Sequence, residues 1–165
     1  MTEREKNIFN YGIIVGILET ISRFNDKTDH AYDFNLTVLP KSGTIYETID
    51  NIVIDVSESY NLTKIENQNA FKFFCNLLHD KWFYEYQNKN EYHLSDIGDN
   101  FSLSFEHWKK EWVDDFVKFL LNTLHPINVY EIHYINLKSY YVSDYDEYIF
   151  ECEDEIYHFK LHVTD

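Results

Sequence analysis

The sequence predicts an α+β fold: N-terminal helices with a hairpin, then a long helix and a C-terminal antiparallel β-meander. Three observations carry this. Ile8, Tyr11, Ile14, Val15, Leu18 and Ile21 recur at three- and four-residue spacing, the period of a helix with one buried face. Phe105, Trp108, Trp112, Phe116, Phe119 and Leu120 make an apolar face over residues 105–124, with Glu106, Lys110, Asp114, Lys118 and Asn122 opposite. At the C-terminal end Tyr157, Phe159, Leu161 and Val163 alternate with His158, Lys160 and His162, the period-two pattern of a strand. The chain has 165 residues, 44% of them apolar and 18% aromatic. That suits one domain, 1–165, with subregions 1–98 and 99–165, and a core that needs no cross-links. Four Gly and two Pro leave no linker and no low-complexity segment.

The elements follow in order. Residues 4–24 read as the first helix, and Gly12 and Gly16 on it permit close helix packing. AYDFNLTVLP reads as a short edge strand that stops at Pro40, because proline donates no ladder hydrogen bond. Lys41, Ser42 and Gly43 turn the chain. Ile45, Ile49, Ile52, Val53, Val56 and Tyr60 suggest a second helix over 45–60. Thr63-Lys64-Ile65-Glu66 matches a capping box and predicts a third helix, running to about Asp80 and burying Phe71, Phe74, Cys75 and Leu78. WFYEYQ and EYHLS flank the polar tip Asn88-Lys89-Asn90 as a hairpin. Ser104 caps the long helix, and His125-Pro126 ends it. Residues 127–142 give one or two strands, SDYDE a turn, 147–153 a strand, Glu153-Asp154-Glu155 a turn, and 157–163 the last strand.

One segment carries a resemblance. The helix ending in Leu77-Leu78-His79-Asp80, the hairpin, and Tyr92-His93-Leu94-Ser95-Asp96-Ile97-Gly98 resemble part of a winged-helix domain, over residues 61–98. The resemblance implies a helix in the major groove and a basic wing on the phosphate backbone. This wing tip has one cation, Lys89, and the helix has Lys64 and Lys72 beside Glu66. Its implied use here is protein contact or dimerisation, with a winged-helix transcriptional regulator as the alternative function.

Charge narrows the partners. The formal net charge is −15. Duplexes and anionic membranes need clustered Lys and Arg, and the two arginines, Arg4 and Arg23, both lie near the N-terminus. The expectation is therefore no nucleic acid and no membrane; a basic protein is the complementary partner. The apolar run Gly12–Leu18 is too short to span a bilayer and lacks a cleavage signature. Two cysteines, Cys75 and Cys152, make no disulfide framework. A soluble cytoplasmic protein is expected, and the abundance of Asn, Ile, Lys, Tyr and Phe is the bias of an AT-rich genome, bacterial or phage.

Residues 141–156, YVSDYDEYIFECEDEI, hold seven carboxylates and no Lys or Arg. Asp144, Asp146 and Glu155 fall at EF-hand positions, but Tyr148 and Ile149 occupy the fifth and sixth places, where a ligand and Gly are needed. Cys75 and His79 share one side of a helix, but the thiol sits among Phe71, Phe74 and Leu78 as a core residue. His158 and His162 lie about 13 Å apart on one strand face, too far for one zinc, and are expected on a solvated face; Glu131 and His133 could add ligands only if pairing allowed. Asp26, Asp29, His30 and Asp33 fix no coordination pattern. No catalytic residue, cofactor or metal is expected. The remaining reading is an acidic face studded with tyrosines, residues that recur at binding hot spots. Asp144, Asp146, Glu147, Glu151 and Glu153 would supply the field, and Tyr141, Tyr145 and Tyr148 the buried contact. The expected function is stoichiometric inhibition of a basic protein, as by an immunity protein or antitoxin against a nuclease-type toxin, or by a phage inhibitor of a nucleic-acid-binding enzyme.

Overall fold

The computed structural model describes residues 2–25, 30–82, 92–93, 102–103, 106–138 and 142–165. The fold class is α+β. In chain order the elements are α1 (Glu3–Asn25), β1 (Ala31–Leu39), α2 (Ile45–Val53), β2 (Ser57–Ile65), α3 (Asn67–Leu77), a π-helical turn (Leu78–Trp82), β3 (Tyr92–His93), β4 (Ser102–Leu103), α4 (Glu106–Leu124), β5 (Asn128–Leu137), β6 (Asp144–Glu151) and β7 (Ile156–Thr164). The chain divides into two compact units: residues 1–68 with 123–165, and residues 69–122. The division runs at 68/69 and 122/123, not at 98/99.

The first unit is built on a five-stranded antiparallel sheet of order β1-β7-β6-β5-β2. The C-terminal meander β5-β6-β7 is its centre. Strands from the N-terminal half extend both sides, so β1 is an edge, as its terminal Pro40 predicts. The second edge corrects the sequence reading. Residues 45–60 are not one helix: α2 stops at Val53, the chain turns, and Ser57–Ile65 pairs with β5 from Ser57 opposite Leu137 to Ile65 opposite Val129. Thr63 therefore starts no helix; it lies opposite Glu131 in the ladder, and Glu66 directly precedes α3. Lys64 is likewise a strand residue, not part of a recognition helix. Two other Thr-x-x-Glu motifs do form capping boxes. At α1, the Thr2 amide donates to Glu5 Oε2 at 2.7 Å and the Glu5 amide to Thr2 Oγ1 at 3.2 Å. At α2, Thr44 and Glu47 exchange the same pair of bonds at 2.7 and 3.3 Å. Gly43, with φ +71°, makes the turn before Thr44, where a Cβ would strike the Glu47 carboxylate.

The sheet buries both faces. On one, Ile132, Ile149 and Ile156 pack with Ile49 and Val53 of α2. On the other, alternation aligns Phe34 and Leu36 of β1, Tyr148 and Phe150 of β6, and Phe159 and Leu161 of β7, all buried. Helix α1 runs along β1 and buries Ile14, Leu18 and Ile21. The Tyr11 hydroxyl donates to Leu36 O at 2.7 Å, and its ring lies 5.9 Å from that of Tyr157. Gly12 and Gly16 point away from this contact: a Cβ on either would meet nothing within 4 Å. The close packing their spacing suggested is absent among the described residues.

In the second unit, α3 buries Ala70, Phe74 and Cys75, and the π-helical turn buries Leu78 and Trp82. Phe71, expected inside, is 37% exposed, with the Lys118 ammonium 5.8 Å from its ring centre. Helix α4 buries Val113, Phe116, Val117 and Leu120, whereas Trp112, expected on that face, is 41% exposed and stacks on Phe116. The Trp108 and Phe105 side chains lie outside the described residues, as do 83–91, where the first arm and tip of the expected hairpin fall. Tyr92–His93 pairs with Ser102–Leu103.

Candidate functional site

Strand β6 carries most of the acidic tyrosine-rich stretch, and the sheet order makes it the central strand. Two expectations change with that. SDYDE is not a turn, since Asp144 already pairs with Val163 and Asp146 with Leu161. The stretch is also not one face. Successive strand residues point to opposite sides, so Glu147 and Tyr148 are buried on opposite faces, each 0% exposed. Neither can meet a partner. Asp144 is exposed, and Tyr145 and Asp146 half-buried, at one end of β6; Glu151 is half-buried and Glu153 exposed at the other, about 23 Å of strand away. Tyr141 lies outside the described residues. Asp144 and Glu155 sit at opposite ends of the β6–β7 pair, so the EF-hand spacing here is strand spacing.

Glu147 is the side chain that sequence reasoning misplaced. It lies opposite Lys160 in the ladder, so His158 and His162 are its two diagonal neighbours on the same face. His158 Nε2 is 2.5 Å from Glu147 Oε2, and His162 Nε2 is 2.8 Å from Oε1. The Tyr134 hydroxyl, from β5, donates to Oε2 at 2.6 Å. An ionised carboxylate only accepts, so each imidazole carries its proton on Nε2. Both histidines are buried; the solvated strand face expected for them is a polar core. Burial alone would raise the Glu147 pKa. The hydrogen bonds from His158 and His162, the charge of His158 and the Tyr134 hydroxyl outweigh it and hold the carboxyl far below the usual carboxylate range. The distance between the histidines, which argued against a shared metal, is the span one carboxylate bridges. Among the described residues, no group of three or more His, Cys, Asp and Glu has the geometry to hold a metal ion. Glu131 and His133, 3.4 Å apart, belong to the opposite face, since Glu131 lies opposite Tyr148.

The exposed carboxylates concentrate at the turn between β6 and β7. Glu153, Asp154 and Glu155 are exposed and Glu151 half-buried. The backbone is fixed: the Cys152 amide donates to Glu155 O at 2.9 Å, and the Ile127 amide to Glu151 O at 2.7 Å. Lys41 spends its ammonium on a carbonyl, Glu153 O at 2.9 Å, while the Glu151 carboxylate accepts from the Asn128 side-chain amide at 2.7 Å. Tyrosines flank the turn. On one side the Tyr157 hydroxyl donates to Glu155 and its ring meets Tyr11. On the other, burial and then the Glu151 charge raise the Tyr130 pKa, and Tyr46 beside it is 58% exposed. Tyr60 donates to Asp50 Oδ1 at 2.8 Å. In the sequence Tyr11 and Tyr157 count only as members of apolar faces, and Tyr46 and Tyr130 are not singled out; α1, α2 and the strand register bring the four to this end.

The cysteines are free, and burial pushes both thiols up to about 12, aided by Asp114 at Cys75 and by Glu155 and Glu151 at Cys152. They are protonated core residues, not nucleophiles. Among the described residues, no helix is long and apolar enough to cross a membrane. No protein-family model, curated protein or solved structure matches the chain.

Proposed function

We propose that this chain neutralises a basic protein by stoichiometric binding, in the manner of an immunity protein or antitoxin facing a nuclease-type toxin, and that it acts in the cytoplasm without catalysis of its own. The observation that carries this reading is the β6–β7 turn. Three exposed carboxylates and a half-buried fourth stand on a rigid hairpin end, with tyrosines on both sides. The chain's net charge of −15 adds a long-range field that speeds encounter with a cationic surface. Carboxylates then pair with Lys and Arg at the rim, and tyrosines give rigid contact area inside it. A phage-encoded inhibitor of a nucleic-acid-binding enzyme would use the same physics. The proposed contact keeps Glu151 and Glu153 from the strand-wide set and replaces the buried Glu147 and Tyr148 by Asp154, Glu155, Tyr46 and Tyr157.

The test is affinity capture from the native host at low salt, in parallel with the wild-type chain and a triple reversal, E153K/D154K/E155K. A basic protein retained by the first, lost by the second and released by high salt is the expected result. Purified, it should bind one to one, with affinity at least tenfold weaker for the reversal. Equal retention by both chains would remove the turn from the interface.

A further inference from the structure

One exposed helix face in the first unit, that of α1, differs from the rest of the chain in charge. Helix α1 carries Glu3, Glu5 and Glu19 against Arg4, Lys6 and Arg23, so it is formally neutral, and all of the −15 lies elsewhere in the chain. Both arginines of the chain are on it. It also exposes apolar surface: Ile8 is 62%, Phe9 60% and Ile13 36% exposed.

These residues are ordered along the helix. A helix turns about 100° per residue, which places Glu5, Phe9, Gly12, Gly16 and Arg23 in one stripe, opposite the buried Ile14, Leu18 and Ile21. The glycines at its middle leave open space around the backbone and would let a second helix approach closely. We infer that α1 is the contact face of a homodimer, in which two copies of α1 cross antiparallel at Gly12 and Gly16. Four features fit a second copy. An antiparallel two-fold crossing is self-complementary. Centred between the glycines, it sets Gly12 against Gly16 of the other copy and Glu5 against Arg23, twice by symmetry. Phe9 and Ile13 flank the crossing and are covered. Two chains this acidic repel over most of their surface, and the neutral α1 is a face where the local repulsion is small. Arg23 already pairs with Glu19 at 2.6 Å and the Glu5 carboxylate already holds the Thr2 amide at 2.7 Å, but all these side chains are exposed and such contacts are easily exchanged.

The area sets the affinity. A helix of this length is about 34 Å long and 10 Å wide, so each copy covers roughly 350 Å², well under the ~800 Å² per partner of a tight complex. The dimer is therefore weak, in the micromolar range or above. Sedimentation of the purified full chain at about 200 µM and about 1 µM should show a mass near twice 20.0 kDa at the higher concentration and 20.0 kDa at the lower. The F9E/I13E variant, changed where Phe9 is 60% and Ile13 36% exposed, should stay monomeric while keeping its helical circular-dichroism spectrum. R23E should weaken association at least fivefold, and E5R/R23E should recover it. A wild-type monomer at the higher concentration overturns the inference, as does an F9E/I13E dimer of wild-type affinity. R23E weakening without recovery in the double variant overturns the antiparallel register. None of these outcomes depends on the β6–β7 turn.

Discussion

Glu147 and the trio Glu153-Asp154-Glu155 lie a few residues apart, carry the same charge and have opposite fates. Glu147 is 0% exposed and accepts hydrogen bonds from His158, His162 and Tyr134. The trio is exposed on the turn that joins β6 to β7. In the sequence both belong to one acidic run. The difference is set by the sheet: β6 is its central strand, with a side chain of β7 or β5 beside every inward position, whereas the turn leaves the sheet altogether. A carboxylate in the centre must be satisfied from neighbouring strands, because burying it without partners costs several kcal/mol. On the turn the Glu153 and Asp154 carboxylates are solvated and stay available, while Glu155 accepts only from its neighbour Tyr157. Charge density alone therefore does not locate a binding face; strand register does.

The sharpest way to break this comparison is to remove each carboxylate. Glu147→Ala leaves two buried imidazoles and a hydroxyl without their acceptor and should destabilise the first unit by about 3–5 kcal/mol, read as a lower urea midpoint. Glu153→Ala should move it by no more than about 0.5 kcal/mol. Acid separates them too. The folded-state pKa of Glu147 is depressed, so its contribution is complete above the unfolded value of about 4.3. It is lost as pH falls from there toward the lower folded value. The stability gap between wild type and Glu147→Gln should therefore narrow between pH 6 and pH 3. A gap that stays constant would mean that Glu147 is not ionised in the folded chain.

Tyr134→Phe is a smaller cut in the same network. It removes one donor, 2.6 Å from the carboxylate, and keeps the ring 5.4 Å from Tyr145. Hydrogen bonds to charged groups contribute about 1.5–3 kcal/mol, so urea unfolding should show a loss in that range. A neutral result would place the anchoring of Glu147 in the histidines alone.

How much of this was legible in the sequence can be argued from the three Thr-x-x-Glu motifs. Thr2 and Thr44 cap α1 and α2, but Thr63, the one read as a cap, pairs in β2. Local chemistry is the same in all three. What separates them is the flank: Tyr60, Leu62 and Ile65 belong to a strand whose pairing with β5 outweighs a cap worth about 1 kcal/mol. The long-period signals survived, because α1, α4 and β7 each repeat an apolar spacing many times. Their inner positions did less well: Trp112 is outside and His158 and His162 are inside. The Glu147 network was invisible for a stronger reason. It joins residues on β5, β6 and β7 through a register that no local spacing encodes. The acidic turn at 153–155 was visible, since a dense run of like charge tolerates few other places, but its tyrosine flank from α1 and α2 was not. The cap comparison can be measured directly. Thr44→Ala should lower stability by about 1 kcal/mol, and Thr63→Ala, on the exposed side of an edge strand, by about half that or less.

The smallest effect expected is also the one that divides a binding surface from a structural one. In Glu153→Gln/Asp154→Asn the side chains keep their size and lose their charge. Neither residue uses its carboxylate in a described hydrogen bond of the fold; Lys41 holds the Glu153 carbonyl instead. Removing two like charges beside Glu151 and Glu155 relieves repulsion that is weak in water and screened within about 10 Å by 0.1 M salt. Stability should thus rise by a few tenths of a kcal/mol at low salt and not change at high salt. Affinity for a cationic partner should fall in the same variant, most at low salt, because the lost charges contribute chiefly to encounter. Lower stability at every salt concentration would show these carboxylates held within the fold as Glu147 is, and the proposed contact would lose its site. Unchanged stability with weakened binding would mark them as charge kept for another molecule.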